Sequence, residues 1–422
     1  MSPIVVWSRE NATPWNTIGP NQSPKMFNVN QEFESKPAEL ENGVPSLVFG
    51  AACFSHFYAD EATLKSSSLP ADTVRLALRY GITAFDTSRY YGESEVVLGA
   101  ALKAVADEFP RESYKIMTKC GRIAASDFDY SPEGVRASVL RSLERLQTTY
   151  LDTVYLHDIE FVASPCAFRS HGNHFGALGS ESHHFDLVDD PSPSSSLPSA
   201  TEHGLPDEAA AYGLAPGDET TIRGLGDEQI LAAFAELRKL KAEGLVRRIG
   251  ITGYPLPTLL RLAILIRRTQ GAPVDALLSY CHLTLQNATL AGFLPHLARR
   301  AGVRAVLNAS PFSMGLLTST GAPGWHPAPA ELREAQGKAA RALEEEGKDL
   351  ADVALGYSLR AGTGVPLVVG LSNPREVHEN VRVWREVVAA DEKQKEERDR
   401  REKMVQDIIR EAGFLDWSWA SP

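Results

Sequence analysis

Four polar residues stand at or just past the ends of short β-branched runs. Asp86 ends TAFD, Tyr91 follows five positions later before Gly92, Lys119 closes YKIMTK and His157 closes DTVYLH. Together they offer a carboxylate, a phenol, an ammonium and an imidazole. A tyrosine with an ordinary pKa near 10 transfers protons poorly at neutral pH, but a nearby ammonium stabilises the phenolate and lowers that pKa. Lys119 is expected to play this part, with Asp86 keeping the lysine charged and oriented and His157 donating a hydrogen bond to the reacting oxygen. Such a set moves a proton at a carbonyl or hydroxyl carbon. Singly, each residue has a plainer reading: a cap, loop packing, a solvated charge, a satisfied buried histidine.

For the four to meet, the runs that carry them must lie side by side. From about residue 45 onward, β-branched runs alternate with stretches of helical period, the pattern of βαβ units and a parallel sheet. Strands are expected near 46–52, 83–87, 114–119, 152–157, 247–252, 276–280, 304–310 and 366–370. Helical stretches lie between them, and two stand before the last strand. Ser131 ahead of Pro132 marks one helix start, and Gly244 after LRKLKAE marks one helix end. The α/β fold class follows, and eight units close most economically as a (β/α)8 barrel, whose active sites sit at the carboxyl ends of the strands.

Three segments fall outside the eight units: an N-terminal arm over 1–44, an insertion over about 162–226, and a charged helix and tail over 387–422. The barrel is then 45–386, interrupted by the insertion. That insertion holds PSPSSSLPSA and nine acidic against two basic residues, so a net −7 of the chain's −11 resides there. It reads as a coreless loop. Its histidines, His171, His174, His183, His184 and His203, read as solvated, and no metal is expected. Because the insertion begins a few residues after His157, it borders the catalytic face, either as a lid or as a solvated excursion.

The chain has 422 residues, 43% of them hydrophobic, with 43 Lys+Arg against 54 Asp+Glu. This acidic balance argues against nucleic acid or an anionic membrane as partner and favours a small neutral or cationic substrate. Neither a membrane span nor a signal peptide is readable, so a soluble cytoplasmic protein is expected. The four cysteines, Cys53, Cys120, Cys166 and Cys281, show no metal-binding spacing and read as reduced thiols. Monomer and homodimer remain open.

FDTSRYYGESEVVLGAAL, IMTKCGR and DTVYLHDIE resemble, in order, the three signatures of the aldo-keto reductases. The likeness continues through RRIGITGYPL, NASPFSMGLLT and VVGLSNPREVHENV, spanning about 46–384 apart from the insertion. It implies a catalytic tetrad of Asp86, Tyr91, Lys119 and His157 and hydride transfer between a nicotinamide cofactor and a carbonyl or alcohol carbon. LLSYCHLTLQNATL and SPFSMGLLTSTGAPGWHPAPAELREA resemble the family's aldose 1-dehydrogenases of the L-galactose and D-arabinose type. That likeness implies oxidation of a neutral sugar at C1 to the aldonolactone, the kind of step found in ascorbate or erythroascorbate synthesis. Trp325 and His326 are then expected to shape the sugar site.

The resemblance also implies cofactor positions. Thr252 and Ser279 match the carboxamide contacts, Ser310 to Gly315 the pyrophosphate loop, and Gly370, Ser372, Glu376, Glu379 and Asn380 the adenosine-phosphate segment. Relatives that prefer NADPH usually carry Lys or Arg where this chain has Gly370 and Glu376. A carboxylate there repels a phosphate dianion and accepts from a ribose hydroxyl, so NAD is the expected cofactor, with NADP as the alternative. Arg375 alone pulls the other way. The chain departs from the family in having Gly253 for a side-chain amide and Ala309 for a stacking tyrosine. Two other functions stay open: an NADPH-dependent aldehyde or ketone reductase, and a non-catalytic dinucleotide-sensing regulatory subunit.

Overall fold

A computed structural model describes residues 36–37, 39–55, 68–166, 169–183 and 207–421. All eight expected strands form. They are β1 (Leu47–Gly50), β2 (Ala84–Asp86), β3 (Lys115–Cys120), β6 (Leu151–Leu156), β7 (Val246–Gly253), β8 (Ala276–Tyr280), β9 (Ala305–Ala309) and β10 (Leu367–Gly370). They close in the order β1-β10-β9-β8-β7-β6-β3-β2, every pairing parallel. A small antiparallel hairpin, β4 (Arg122–Ala124) with β5 (Asp127–Phe128), follows β3 directly. The barrel interior is filled by Val48, Ala84, Met117, Tyr155, Ala276, Leu278, Ala305, Leu307 and Val368, and Val44 from the preceding turn packs with them. Side chains alternate along a strand, so the intervening residues, such as Phe49, Phe85, Ile251 and Leu277, meet the outer helices in a second core.

The helices are α1 (Leu69–Arg79), α2 (Ser94–Ala104), α3 (Pro132–Arg145), α4 (Leu225–Ala242), α5 (Leu256–Gln270), α6 (Leu290–Arg299), α7 (Ala330–Glu345), α8 (Leu350–Ala361), α9 (Pro374–Val388) and α10 (Glu392–Glu411). Their starts follow local chemistry. Ser131 Oγ accepts from Gly134 N ahead of α3, and Asn373 accepts from Glu376 N ahead of α9, each satisfying an amide that lacks a helical partner.

Two expectations need correction. The described ends of the insertion do pack: Ala177, Leu178, Ala209, Tyr212 and Leu214 are buried against the outer core. Asp227 clamps the downstream end, accepting from Ser164 N, Arg223 N and both Arg261 Nη atoms, the last at 2.7 and 3.0 Å. His174 is buried against Tyr212, where loss of water outweighs the other influences and lowers its pKa to about 4; it is not a solvated histidine. The remaining loop histidines other than His171 fall outside the side chains described. The C-terminal segment is not a separate surface feature either. Glu402, Val405 and Ile409 of α10 are buried, Glu402 is paired with Arg360 of α8, and Trp419 is 2% exposed. Apolar residues one turn apart give even a charged helix a face worth burying.

Candidate active site

The tetrad assembles at the carboxyl mouth of the barrel. Asp86 is the last residue of β2 and Lys119 the penultimate residue of the adjacent β3, so their side chains reach each other across one strand spacing. Lys119 Nζ donates to Asp86 Oδ1 at 2.6 Å and to the carbonyl of Thr87 at 2.9 Å. Both residues are buried. Burial raises the Asp86 pKa while the Lys119 charge holds it down.

Tyr91 sits on the turn between β2 and α2, held by Tyr91 N donating to Ser88 O and Ser94 N donating to Tyr91 O. Lys119 Nζ lies 4.7 Å from its ring centroid, and the His157 ring meets it edge-on at 5.7 Å. The expected lowering of the tyrosine pKa does not occur in the free protein. Burial, then Asp86 and Asp158, push the phenol well above its ordinary value, and Arg122 opposes them. The ammonium stacks on the ring face and is spent on Asp86 and Thr87, so the resting group is a phenol.

His157 follows β6, and its carbonyl accepts from Tyr130 OH at 2.5 Å. Burial lowers its pKa to about 3, so the ring is neutral at physiological pH. Ser88 Oγ accepts from Tyr90 N and lies 3.0 Å from His157 Nδ1. Ser88 Oγ can donate its own proton to Nδ1, and in that tautomer the imidazole hydrogen sits on Nε2, a donor for the reacting oxygen. The arrangement can pass a proton between Tyr91 and a substrate oxygen that His157 polarises.

On the other side of the mouth, the residues implied as cofactor contacts fit an extended dinucleotide. Ser310, Ser313, Met314 and Gly315 all have positive φ, a loop shape L-residues adopt only under constraint. Gly370 ends β10 with open space above it, and α9 begins just beyond, where the dipole at a helix N-terminus favours an anion. Glu376 accepts from Ser372 N and Oγ at 2.6 and 2.8 Å and from Asn373 Nδ2 at 3.0 Å. Arg375 instead turns outward to Glu379 at 2.7 Å. Asn380 is buried, donating Nδ2 to Glu376 O and leaving Oδ1 without a partner among the described residues. These residues would hold a nicotinamide dinucleotide.

Two implied contacts, Ser279 and His326, stand differently from the expectation. Thr252 is buried and sits in β7 beside β8, but Ser279 lies on the strand face opposite the inward Leu278. Its Oγ is 3.2 Å from His282 Nδ1, so it serves the wall behind the site. His326 has both ring nitrogens occupied by backbone, Nε2 by Ser313 O at 2.9 Å and Nδ1 by Ala328 N at 3.0 Å. It is a pin that packs edge-on against Trp419 and has no nitrogen left for a sugar. Trp325 stays partly exposed beside it.

Sequence reasoning missed Arg122, Asp158, Glu160 and the tail. Arg122 is paired with Asp158, and each is buried. The Glu160 carboxyl lies where a Cβ on Gly253 would collide with Oε2, and its Oε1 accepts from Tyr254 N at 3.0 Å and from Ser421 Oγ at 2.6 Å. Ser418 lies within hydrogen-bond distance of His282 and Asn287, and Trp419 stacks on Tyr254, so the chain end forms one wall of the mouth. A signal was present: Arg122 and Asp158 each stand within three residues of a tetrad member.

A model of the Aldo/keto reductase family matches residues 46–398. The chain is 37% identical over 345 residues to the D-arabinose 1-dehydrogenase of Saccharomyces cerevisiae, covering 81% of this chain and 83% of that protein. It is 37% identical over 311 residues to the L-galactose dehydrogenase of Arabidopsis thaliana, covering 73% and 76%. Among solved structures, an aldo-keto reductase from Bacillus halodurans shares the fold with a TM-score of 0.52 at 20% identity, covering 88% of this chain and 96% of that one.

Proposed function

The chain belongs to the aldo/keto reductase family, and from that premise we propose that it oxidises a small neutral aldose of the D-arabinose or L-galactose type at C1 to the aldonolactone, with NAD as acceptor. It is an oxidoreductase by family, and the two relatives named above are dehydrogenases of those sugars. The observation that carries the reading is the neutral His157 imidazole set edge-on to Tyr91 beside the buried Lys119–Asp86 pair. Among the described residues no helix is long and apolar enough to cross a membrane.

A bound nicotinamide dinucleotide would supply the site that takes the hydride from C1. The protein's own residues do the rest. His157 Nε2–H orients the anomeric oxygen, Tyr91 as phenolate takes its proton, and C1–O becomes C=O as the hydride leaves. Lys119 and Asp86 hold the phenol against the histidine and keep a fixed charge beside the site in a setting with little water. Glu376 supports NAD over NADP: the family resemblance aligns it with a position where NADPH-preferring relatives carry a cation, a carboxylate there disfavours a 2′-phosphate, and the neighbouring Arg375 is engaged with Glu379.

The test is absorbance at 340 nm with purified protein, crossing NAD and NADP with L-galactose, D-arabinose, L-fucose and D-glucose. NAD-linked turnover of one or two of these sugars, lost by at least about a thousandfold in Tyr91→Phe while NAD still quenches tryptophan fluorescence, is the expected result. Silence with every sugar, or full activity in the variant, removes the reading.

A further inference from the structure

Directly after His157, Asp158 takes φ 53° and ψ 57°, a left-handed conformation uncommon for a residue other than glycine. The turn brings Asp158 Oδ2 to 3.5 Å from His157 Nε2. Arg122, on the hairpin after Lys119, binds the same oxygen. The arginine is itself locked in place. Its guanidinium lies 4.1 Å from the Tyr90 ring centroid and 4.9 Å from that of Phe161, and Nη2 donates to Ala125 O at 3.2 Å.

A buried ion pair seldom returns in stability what its desolvation costs, and an apolar pair of the same volume would do as well. Here the pair sits on a strained turn against the imidazole nitrogen that meets the reacting oxygen, which points to work on the substrate. A carboxylate paired with arginine is a strong acceptor for a hydroxyl donor. A simple aldehyde has none to offer, whereas a sugar carries one on the carbon next to the reacting carbon. Hydroxyls on neighbouring carbons lie roughly one hydrogen-bond length apart, ~2.8 Å. An oxygen held by His157 Nε2 therefore leaves its neighbour within reach of a carboxylate 3.5 Å from that nitrogen.

We propose that Asp158, positioned by Arg122, is a specificity-determining residue that accepts a hydrogen bond from the hydroxyl adjacent to the reacting carbon and so selects polyhydroxylated substrates over simple carbonyl compounds. The assignment rests on the aldose reading above.

Its test compares kcat/KM for three substrates in the full chain and in Asp158→Asn: the preferred aldose, its 2-deoxy counterpart, and a simple aromatic aldehyde in the reductive direction. Wild-type protein is expected to favour the aldose over the 2-deoxy sugar by about a hundredfold, since a site built to bind a hydroxyl rejects the analogue lacking it. In Asp158→Asn the ratio of kcat/KM for the aldose to that for the 2-deoxy sugar should fall from about a hundredfold toward one, since any effect of Asp158 on Tyr91 or His157 falls on both sugars alike. Equal losses on all three, or no loss on the aldose, overturn the assignment. Should the variant fail to fold, the wild-type ratio decides alone, and a ratio near one overturns it. Turnover of aldehydes with no aldose removes the aldose reading and this assignment together; aldose turnover indifferent to the 2-hydroxyl removes only the assignment.

Discussion

Lys119 Nζ approaches Asp86 Oδ1 to 2.6 Å with both side chains nearly sealed from solvent, while Asp86 Oδ2 has no partner among the described residues. The carboxylate therefore depends on one cation and one hydrogen bond. Lys119→Met should strand a buried charge and cost about 3–5 kcal/mol, whereas Asp86→Asn with Lys119→Met should recover much of it, since no ion is left uncompensated. Urea unfolding of the three proteins at pH 7 measures this. Burial alone raises the Asp86 pKa further once the lysine is gone, so the single variant should be least destabilised at acid pH. Equal losses in single and double variants would show that the pair stabilises by packing instead.

The same pair bears on the direction of proton transfer. With the Tyr91 phenol pushed well above its ordinary pKa, the protonated form dominates near pH 7 and suits donation to a carbonyl. Oxidation needs the phenolate. Its kcat/KM is therefore expected to climb about tenfold per pH unit from 7 toward 9, while reduction stays nearly flat over the same range. Initial rates in both directions across that range check the sign. A falling oxidative limb would mean another group is the base.

Much of this architecture is legible in the sequence because the barrel imposes strict periods. All eight strands fall within two residues of their expected ends, and Asp86, Lys119 and His157 are found simply by standing where those strands stop. Arg122 and Asp158 each stand close in sequence to a tetrad member, but their pairing was not legible, because they are 36 residues apart and meet only when β3 and β6 become neighbours. Ser279 was misplaced although Leu278, one residue earlier, already faces the barrel interior, and period two turns the serine away. The buried ends of the insertion escaped because Leu178, Tyr212 and Leu214 are scattered among glycines and acids with no helical or strand period. In α10 the charge count hid Val405 and Ile409, four residues apart on the packed face.

Glu160 ties the chain end to the mouth through Ser421 and makes that tie pH-dependent. Burial, then the neighbouring Asp158 charge, raises its pKa from 4.5 to about 7. A carboxyl raised on folding contributes stability that is fully present below about pH 4.5 and is lost as pH climbs through 7. The urea midpoint of the wild type should therefore fall between pH 5 and pH 8, and Glu160→Gln, neutral throughout, should show a flatter decline. Tryptophan emission, sensitive to Trp419 stacked on Tyr254, should shift over the same interval. Parallel profiles for the two proteins would rule Glu160 out as the source.

The proposed preference for NAD rests on one side chain, Glu376. Glu376 stands at the third position of α9, held by Ser372 and Asn373, and burial raises its pKa. Replacing it by lysine reverses the local charge near the helix N-terminus, where anions are already favoured by the backbone dipoles. Glu376→Lys should tighten NADP binding by tenfold or more and weaken NAD by a few fold, because the ribose hydroxyl loses its acceptor while a 2′-phosphate gains a cation. Dissociation constants from tryptophan quenching, measured for both dinucleotides without any sugar, isolate this effect from chemistry. An unchanged ratio would mean that the 2′ position is read elsewhere, with Gly370 and the exposed Arg375 the next residues to substitute.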